Sequence, residues 1–437
     1  MILKSPVNHL ITAADNLLFF QNKILMKRTV LFVLLFICSM SVIAQIDKDS
    51  CSMEISLITC APGTDLYSIF GHTAIRVRDT RRGMDVVYNY GTFDDSDPMF
   101  YLKFMRGIMR YSLSAETYDS FMMEYEYEHR SVVAQILDLS CAEKNQLYEA
   151  LRKNTLDENR FYDYHFHTDN CTTRAGRIIE SNTRDSLIYK NILPVNSSAD
   201  HSPENSLHNG AGLTFRDMIH EYLDKENASW SEFGIDLFLG TNLDKKVTNT
   251  EAIHFLPDYL FRGMDSAESN NKPIVSSKIT LLDFSAAKKN SAGLTPDIVF
   301  SCLFLVMIVL FIFRTSPGIA KTLLIIDIIF FSLLGLLGIL MASMWMGRVD
   351  DVCSNNMNIF WALPTHIIAV FYIRKKAVWI KYYFLITSIL ASLLVIGFAW
   401  WPQRMNPAVL PILGIIIFRS LYHFQNRNHE ENASVRR

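Results

Sequence analysis

The sequence predicts an α+β domain followed by an all-α membrane bundle of about five helices. Three observations carry this expectation. Residues 45–295 mix both charges with many Tyr and Phe, in strand-like runs that give way to helical ones. After Pro296 the chain becomes runs of Leu, Ile and Phe broken by short basic segments, and an export signal precedes both parts. Strands followed by mixed helices fit α+β better than a wound parallel sheet. The 437 residues allow two or three domains, and a formal net charge of −2 gives no reason to expect nucleic acid as a partner.

At the N-terminus, Lys23, Lys27 and Arg28 precede an apolar run over 29–40, and Ser41-Val42-Ile43-Ala44 follows. That is a charged region, a hydrophobic region and a small-residue cleavage pattern, with Ala44 at −1 and Val42 at −3. Met26 stands where such a signal normally starts. Residues 1–44 are therefore expected to be an extension plus signal peptide, with an uncleaved anchor as the alternative. Segments 52–59, 73–78 and 85–90 read as strands. The stretch 115–128 has helical spacing, and 132–139 returns as a strand. An amphipathic helix is expected over 143–153, a short alternating strand over 160–167, and a new helix over 172–181. Segments 215–223 and 252–263 read as further helices.

Residues 296–437 hold five hydrophobic segments, at 297–313, 322–346, 359–373, 382–400 and 405–422. The first, second and fourth have the length, or nearly so, to cross about 30 Å of hydrocarbon. The third is short, and the fifth carries Pro411 and Arg419. With residues 45–295 outside, the inner segments hold Arg314, Lys321, Arg374, Lys375, Lys376, Lys381, Arg419, Arg427, Arg436 and Arg437. The outer loops hold Arg348 and Arg404. This distribution obeys the positive-inside rule and agrees with the export signal. It is expected to place residues 45–295 in the periplasm, outside a bacterial inner membrane, and the C-terminus in the cytoplasm.

Cysteines lie at 38, 51, 60, 141, 171, 302 and 353. Cys38 leaves with the signal, and Cys302 falls in a membrane helix. Cys51, Cys60, Cys141, Cys171 and Cys353 remain for an oxidising compartment, with their pairing open. No C-x-x-C spacing and no His-rich cluster suggests zinc. Two segments stand out as chemistry. Phe70-Gly71-His72-Thr73 puts a histidine at the start of an apolar strand, and Asn170-Cys171-Thr172-Thr173 puts a cysteine in the first turn of a helix. There the helix dipole and free backbone N–H groups favour thiolate, the nucleophilic form. An imidazole beside it completes an activated pair, and the Cys171 N–H can serve as an oxyanion donor. Taken singly, each segment has a plainer reading: a disulfide half or buried small residue for Cys171, and a structural Gly-His for the other.

Their order, His on a strand and Asn-Cys later on a helix, resembles the circularly permuted papain-like fold of permuted NlpC-type peptidases and lecithin:retinol acyltransferases. More closely, residues 57–177 resemble the periplasmic domain of the Bacteroidota lipoprotein N-acyltransferases. The matching pieces are Pro62-Gly63, Phe70-Gly71-His72, Tyr88-Asn89-Tyr90-Gly91 with Phe93, and Asn170-Cys171-Thr172-Thr173. Phe255-Leu256-Pro257-Asp258 and the multi-helix C-terminus fit the same pattern.

This resemblance implies that Cys171 takes an acyl chain from a phospholipid as a thioester, with His72 as its base. The chain then passes to the N-terminal amine of a diacylglyceryl-cysteine lipoprotein. Thioester chemistry calls for no cofactor. The resemblance also implies a polar residue on the strand after the histidine to orient the ring. Asn89 is the choice, and Asp169, His165 and His167 are its rivals. His165 and His167 alternate with Tyr164 and Phe166, so at least one is expected to be packing or surface. Arg76 and Arg174 are candidates for a headgroup phosphate, against a default of paired surface arginines. Asp327 and His366 sit at membrane depth, where ionisable groups are functional hypotheses; for Asp327, packing or pairing within the bundle is the expectation. The outer loop 348–358 is expected beneath the catalytic domain. The alternatives are a membrane-tethered cysteine hydrolase of peptidoglycan peptides or phospholipids, and a non-enzymatic scaffold in which Cys171 is bonded to Cys141 or Cys60.

Overall fold

The computed structural model describes residues 51–65, 68–93, 97–183, 185–194, 212–284, 293–375 and 377–435. The extension and signal peptide expected over 1–44 lie outside them. Alternating apolar and polar residues build β1 (Met53–Cys60), β2 (His72–Asp79) and β3 (Met84–Thr92). Helix α1 (Phe100–Met105), strand β4 (Met109–Thr117), helix α2 (Tyr118–Tyr127) and β5 (Val132–Leu137) follow. Next come α3 (Cys141–Asn154), β6 (Phe161–Tyr164) and α4 (Cys171–Ser181). A helical layer of α5 (Phe215–Lys225), α6 (Ser229–Phe238), α7 (Asn249–Phe255) and α8 (Pro257–Ser266) comes after it. The domain ends in a small hairpin of β7 (Glu268–Ser269) and β8 (Lys272–Pro273) and in β9 (Val275–Leu282).

Seven of these strands form one antiparallel sheet in the order β6-β4-β3-β2-β1-β5-β9. β1 is covered on both faces, so it is buried along nearly its whole length. On one face Ile58, Ala74, Val87 and Val132 pack against Phe121 and Tyr125 of α2. Burying each of these side chains fully contributes about 1.5–3 kcal/mol for the larger ones. On the other face α4 crosses β2 and β3, and α8 lies on β1.

Three local expectations change. Residues 115–117 continue β4 instead of opening a helix, because Ala115, Glu116 and Thr117 pair with Tyr88, Val87 and Val86 of β3. The Thr117 side chain then caps α2 by accepting the Ser120 N–H. The strand expected to run to residue 167 stops at Tyr164, where His165 and Asp169 close a turn through N–H to C=O bonds of 2.9 and 3.0 Å. The single helix over 252–263 is two helices, broken ahead of Pro257, whose ring and missing N–H end α7 and start α8. Helices α1 and α6 and strand β9 were not expected.

Among the described residues the C-terminal region holds five α-helices, as expected: α9 (Pro296–Ile312), α10 (Pro317–Gly347), α11 (His366–Tyr372), α12 (Val378–Ile396) and α13 (Val409–Val435). α10 and α12 are long and apolar enough to cross a membrane, and α9 is a shorter apolar helix. Pro411 falls in the first turn of α13, where its missing N–H breaks no bond. Asp327 is fully buried and paired, accepting from Arg419 at 2.8 and 2.7 Å and contacting His423 at 2.8 Å. His366 contacts the Trp361 carbonyl at 3.1 Å and the Tyr383 hydroxyl at 2.7 Å.

The two regions share their cores. Met344, Val352 and Cys353 pack with Phe215, Tyr222 and Phe255, and Phe233 and Leu237 pack with Phe331 and Trp361. The loop 348–358 does lie against the sheet-bearing domain: the Gly240 N–H donates to the Val352 carbonyl, and Asn356 and Asn358 donate to the Leu237 and Asp236 carbonyls. Beside it the fully buried Arg216 donates to Asp236 and Asp244 at 2.7 Å each. Arg404, from the loop before α13, reaches Asp217 at 2.6 Å.

Candidate active site

His72 is the first residue of β2, and Gly71 sets its direction. Gly71 has φ +73°, and a Cβ there would meet the Cys60 carbonyl oxygen at 2.5 Å, so glycine alone lets the chain enter the strand beside β1. Cys171 is the first residue of α4, held by Asn170 as its cap. The Asn170 side-chain oxygen accepts the Thr173 N–H at 2.9 Å, and its amide donates to the Phe166 and Phe255 carbonyls at 2.8 and 2.9 Å. The Phe255 carbonyl is available because α7 ends there. Thr173 Oγ1 donates to the neighbouring His254 carbonyl at 2.9 Å. The break before Pro257 thus locks the cysteine-bearing turn.

The fold brings Cys171, His72 and Asn89 together. The Cys171 thiol lies 3.9 Å from the Thr172 hydroxyl, and it is close enough to the His72 ring for each group to shift the other's pKa. His72 Nε2 lies 2.8 Å from Asn89 Oδ1, which also accepts the Gly91 N–H at 2.7 Å. An oxygen fixed by a backbone donor is an acceptor, so Nε2 is the nitrogen that carries a proton toward Asn89. Gly91 lies flat against the ring: a Cβ on it would meet His72 Cε1 at 2.5 Å. Thr73 and Thr172 join β2 to α4 through hydroxyls 3.2 Å apart.

The electrostatics follow. Burial pushes the Cys171 thiol up, but the His72 imidazolium, its hydrogen bond and the Thr73 N–H outweigh this and hold the thiol below its ordinary value. Burial pushes His72 down, and the Cys171 thiolate beside it, with the bonds to Cys171 and Asn89, raises it overall. Opposite shifts on these neighbouring groups favour passing the thiol proton to the imidazole. By contrast Cys60, buried in the α2 face, is pushed up to about 12 by its burial. As the first residue of α4, Cys171 also carries one of the N–H groups that a helix leaves without an internal acceptor.

The rivals of Asn89 are engaged elsewhere. Asp169 accepts from Arg174 at 2.6 Å. His165 closes the turn before α4 through its backbone. His167 lies 3.7 Å from Asp351 and edge-on to Phe215, with burial holding its pKa down. Both arginines are paired. Arg76 makes two 2.6 Å bonds to Asp85 and lies over the Tyr118 ring, and Arg174 lies over Tyr162. Arg174 and Arg177 also line a cavity of about 420 Å³ with Tyr90 and Asp169. Cys171 is a free thiol, as are Cys60 and Cys141, so the disulfide that a scaffold reading requires is not formed. Among the described residues one group could hold a metal ion: His220, Glu232 and Asp236, with ligand atoms within 4.8 Å of one another. Asp236 is already taken up by Arg216 at 2.7 Å and His220 at 2.9 Å.

Sequence reading missed the tyrosines around the thiol. Tyr111 of β4 and Tyr162 and Tyr164 of β6 are pushed well up by burial above all; the Cys171 charge comes next for Tyr111 and Tyr162, and after that of Tyr111 for Tyr164. The alternation of Met109, Tyr111 and Leu113 with Arg110, Ser112 and Ser114 was the available signal.

Two family models match the chain. Residues 41–199 match the Lnb N-terminal periplasmic domain, and residues 288–430 match the Lnb transmembrane domain. The chain belongs to the Lnb family of lipoprotein N-acyltransferases. It is an inner-membrane protein with a periplasmic domain, as these two Lnb domains in this order imply. No curated protein and no solved structure matches it.

Proposed function

We propose that the protein is a thiol-dependent acyltransferase that moves an acyl chain from a phospholipid, through a Cys171 thioester, to the N-terminal amine of a diacylglyceryl-cysteine lipoprotein. The observation that carries this reading is the Cys171–His72–Asn89 constellation on a domain whose core is continuous with membrane helices.

The thiolate of Cys171 attacks the ester carbonyl of the phospholipid, and the Cys171 N–H stabilises the oxyanion. The tetrahedral adduct collapses by expelling the glycerol oxygen, which takes the proton held by His72, and a lysophospholipid leaves. Neutral His72 then takes the proton of the lipoprotein amine as nitrogen attacks the thioester carbonyl. Collapse expels the Cys171 thiolate, leaves an amide on the lipoprotein, and restores the ion pair. Asn89 holds the ring through both halves. Residues 1–44 are then the extension and signal peptide, 45–295 the periplasmic enzyme domain, and 296–437 the membrane domain with its C-terminus in the cytoplasm.

The test uses wild type and Cys171→Ser in a strain lacking its own lipoprotein N-acylation. Mass spectrometry of one lipoprotein's N-terminal peptide should find a third acyl chain with wild type and none with the variant. No third chain from either protein, with both present in the membrane, refutes acyl transfer and leaves a cysteine hydrolase. A chain from both moves the chemistry away from Cys171.

A further inference from the structure

Helix α1 and its flanks expose an unusual amount of apolar surface for so short a segment. Met99, Leu102, Phe104 and Ile108 are 51, 43, 47 and 38 % exposed. Lys103, Arg106 and Arg110 are interspersed among them and are also exposed. Adjacent apolar and basic side chains of this kind suit the boundary between lipid headgroups and acyl chains, and a patch of this kind marks an interaction site.

The structure also fixes the depth of this segment. Arg348 follows directly on α10, one of the two helices long enough to cross the membrane. It donates to the Phe104 carbonyl at 2.8 Å and the Met105 carbonyl at 3.3 Å, and the Val349 N–H donates to the Arg106 carbonyl at 3.0 Å. Arg348 is itself held by Asp350 at 2.6 Å, and Gly107 (φ +67°) fits so closely that a Cβ would meet Asp350 Oδ2 at 2.9 Å. α1 is therefore bolted to the periplasmic end of a membrane-crossing helix.

From α1 a row of aromatic rings leads inward. Phe100 stacks on Phe93 at 5.5 Å, Phe93 meets Tyr111 at 5.1 Å, and Tyr111 stacks on Tyr164 at 4.4 Å. Tyr164 is the last residue of β6, and the turn closed by His165 and Asp169 leads from it to Cys171 at the start of α4. We propose that α1 lies in the outer leaflet and that Phe100, Phe93, Tyr111 and Tyr164 form the wall along which the acyl chain of a phospholipid passes between the bilayer and Cys171. Lys103, Arg106 and Arg110 then face the lipid phosphates. The proposal rests on the acyl-transfer reading, which it deepens by assigning the path of the donor chain.

The full-length Cys171→Ser protein, in liposomes of a phospholipid with a diazirine on one acyl chain, is irradiated and its labelled peptides are mapped. Labels on residues 97–111 are expected beside those on α9–α13. The additional changes Leu102→Glu and Phe104→Glu should cut the 97–111 labelling about tenfold. The fold control puts the same two changes in a protein with Cys171 intact, where iodoacetamide must still reach the thiol. Labelling confined to α9–α13, or labelling of 97–111 that is indifferent to the two glutamates, overturns the proposal. A third acyl chain made by Cys171→Ser would refute the thioester reading alone, and labelling of 97–111 would still report where the chain lies.

Discussion

Replacing Asn89 with alanine tests the site most directly. Asn89 Oδ1 is 2.8 Å from His72 Nε2 and is aimed by the Gly91 N–H at 2.7 Å. The bond is made to a ring that is charged whenever it holds the Cys171 proton, and hydrogen bonds to charged groups contribute about 1.5–3 kcal/mol. Losing it destabilises the imidazolium, so the pKa of His72 falls and that of Cys171 rises toward the value burial favours. The same energy, lost from a step in which His72 holds or gives a proton, corresponds to a rate about 10- to 150-fold lower. Two assays read this. Iodoacetamide labelling of the Cys171 peptide, followed by mass spectrometry across pH, should show the reactive fraction moving to higher pH in Asn89→Ala. Lipoprotein N-acylation should slow within the stated range. Cys60, pushed up to about 12 by burial, stays unlabelled as an internal reference. A variant with an unmoved pH profile and a rate within about twofold of wild type would show that Asn89 neither orients nor stabilises the ring.

In wild type, Cys171 alkylation should persist as pH falls below the usual thiol range, because the folded protein depresses that pKa; the reaction disappears only once pH drops through the depressed value. His72→Ala removes the largest influence that lowers the Cys171 pKa and leaves burial opposed only by Thr73 and Thr172, so alkylation at neutral pH should become slower than in wild type; equal rates in wild type and His72→Ala would contradict the pairing of the two groups. Asn170→Ala removes the cap of α4 and two donors to the Phe166 and Phe255 carbonyls, costing about 1–3 kcal/mol and lowering the melting temperature of the purified protein by several degrees. Arg216→Ala leaves Asp236 and Asp244 without their shared guanidinium, a loss of about 3–5 kcal/mol for a buried pair. It should appear as a marked drop in melting temperature or in yield, and an unchanged melting curve would show that the network does not hold the two regions together.

What the sequence determined is mostly local. Gly71 before an apolar strand, Asn170 before a helix and the export signal are short-range patterns, and each dictates its neighbourhood through backbone sterics, capping or hydropathy. They single out His72 and Cys171, and Asn89 follows from the resemblance, which puts a polar residue on the strand after the histidine. The long apolar segments likewise announced α9, α10 and α12, since hydrocarbon thickness sets their length.

Tertiary structure decided everything that depends on pairing across distance. Residues 115–117 have helical spacing, yet their ladder with β3 keeps them extended. Leu256-Pro257 breaks what reads as one helix, and the Phe255 carbonyl freed there finds Asn170, 85 residues away. Arg348 reads as a lone basic residue in an outer loop, but its contacts with Phe104 and Met105, some 240 residues earlier, fix where α1 lies. Periodicity reports which face of an element is apolar. It does not report which distant element covers that face, and here that covering surrounds Cys171 with tyrosines and ties its domain to the membrane.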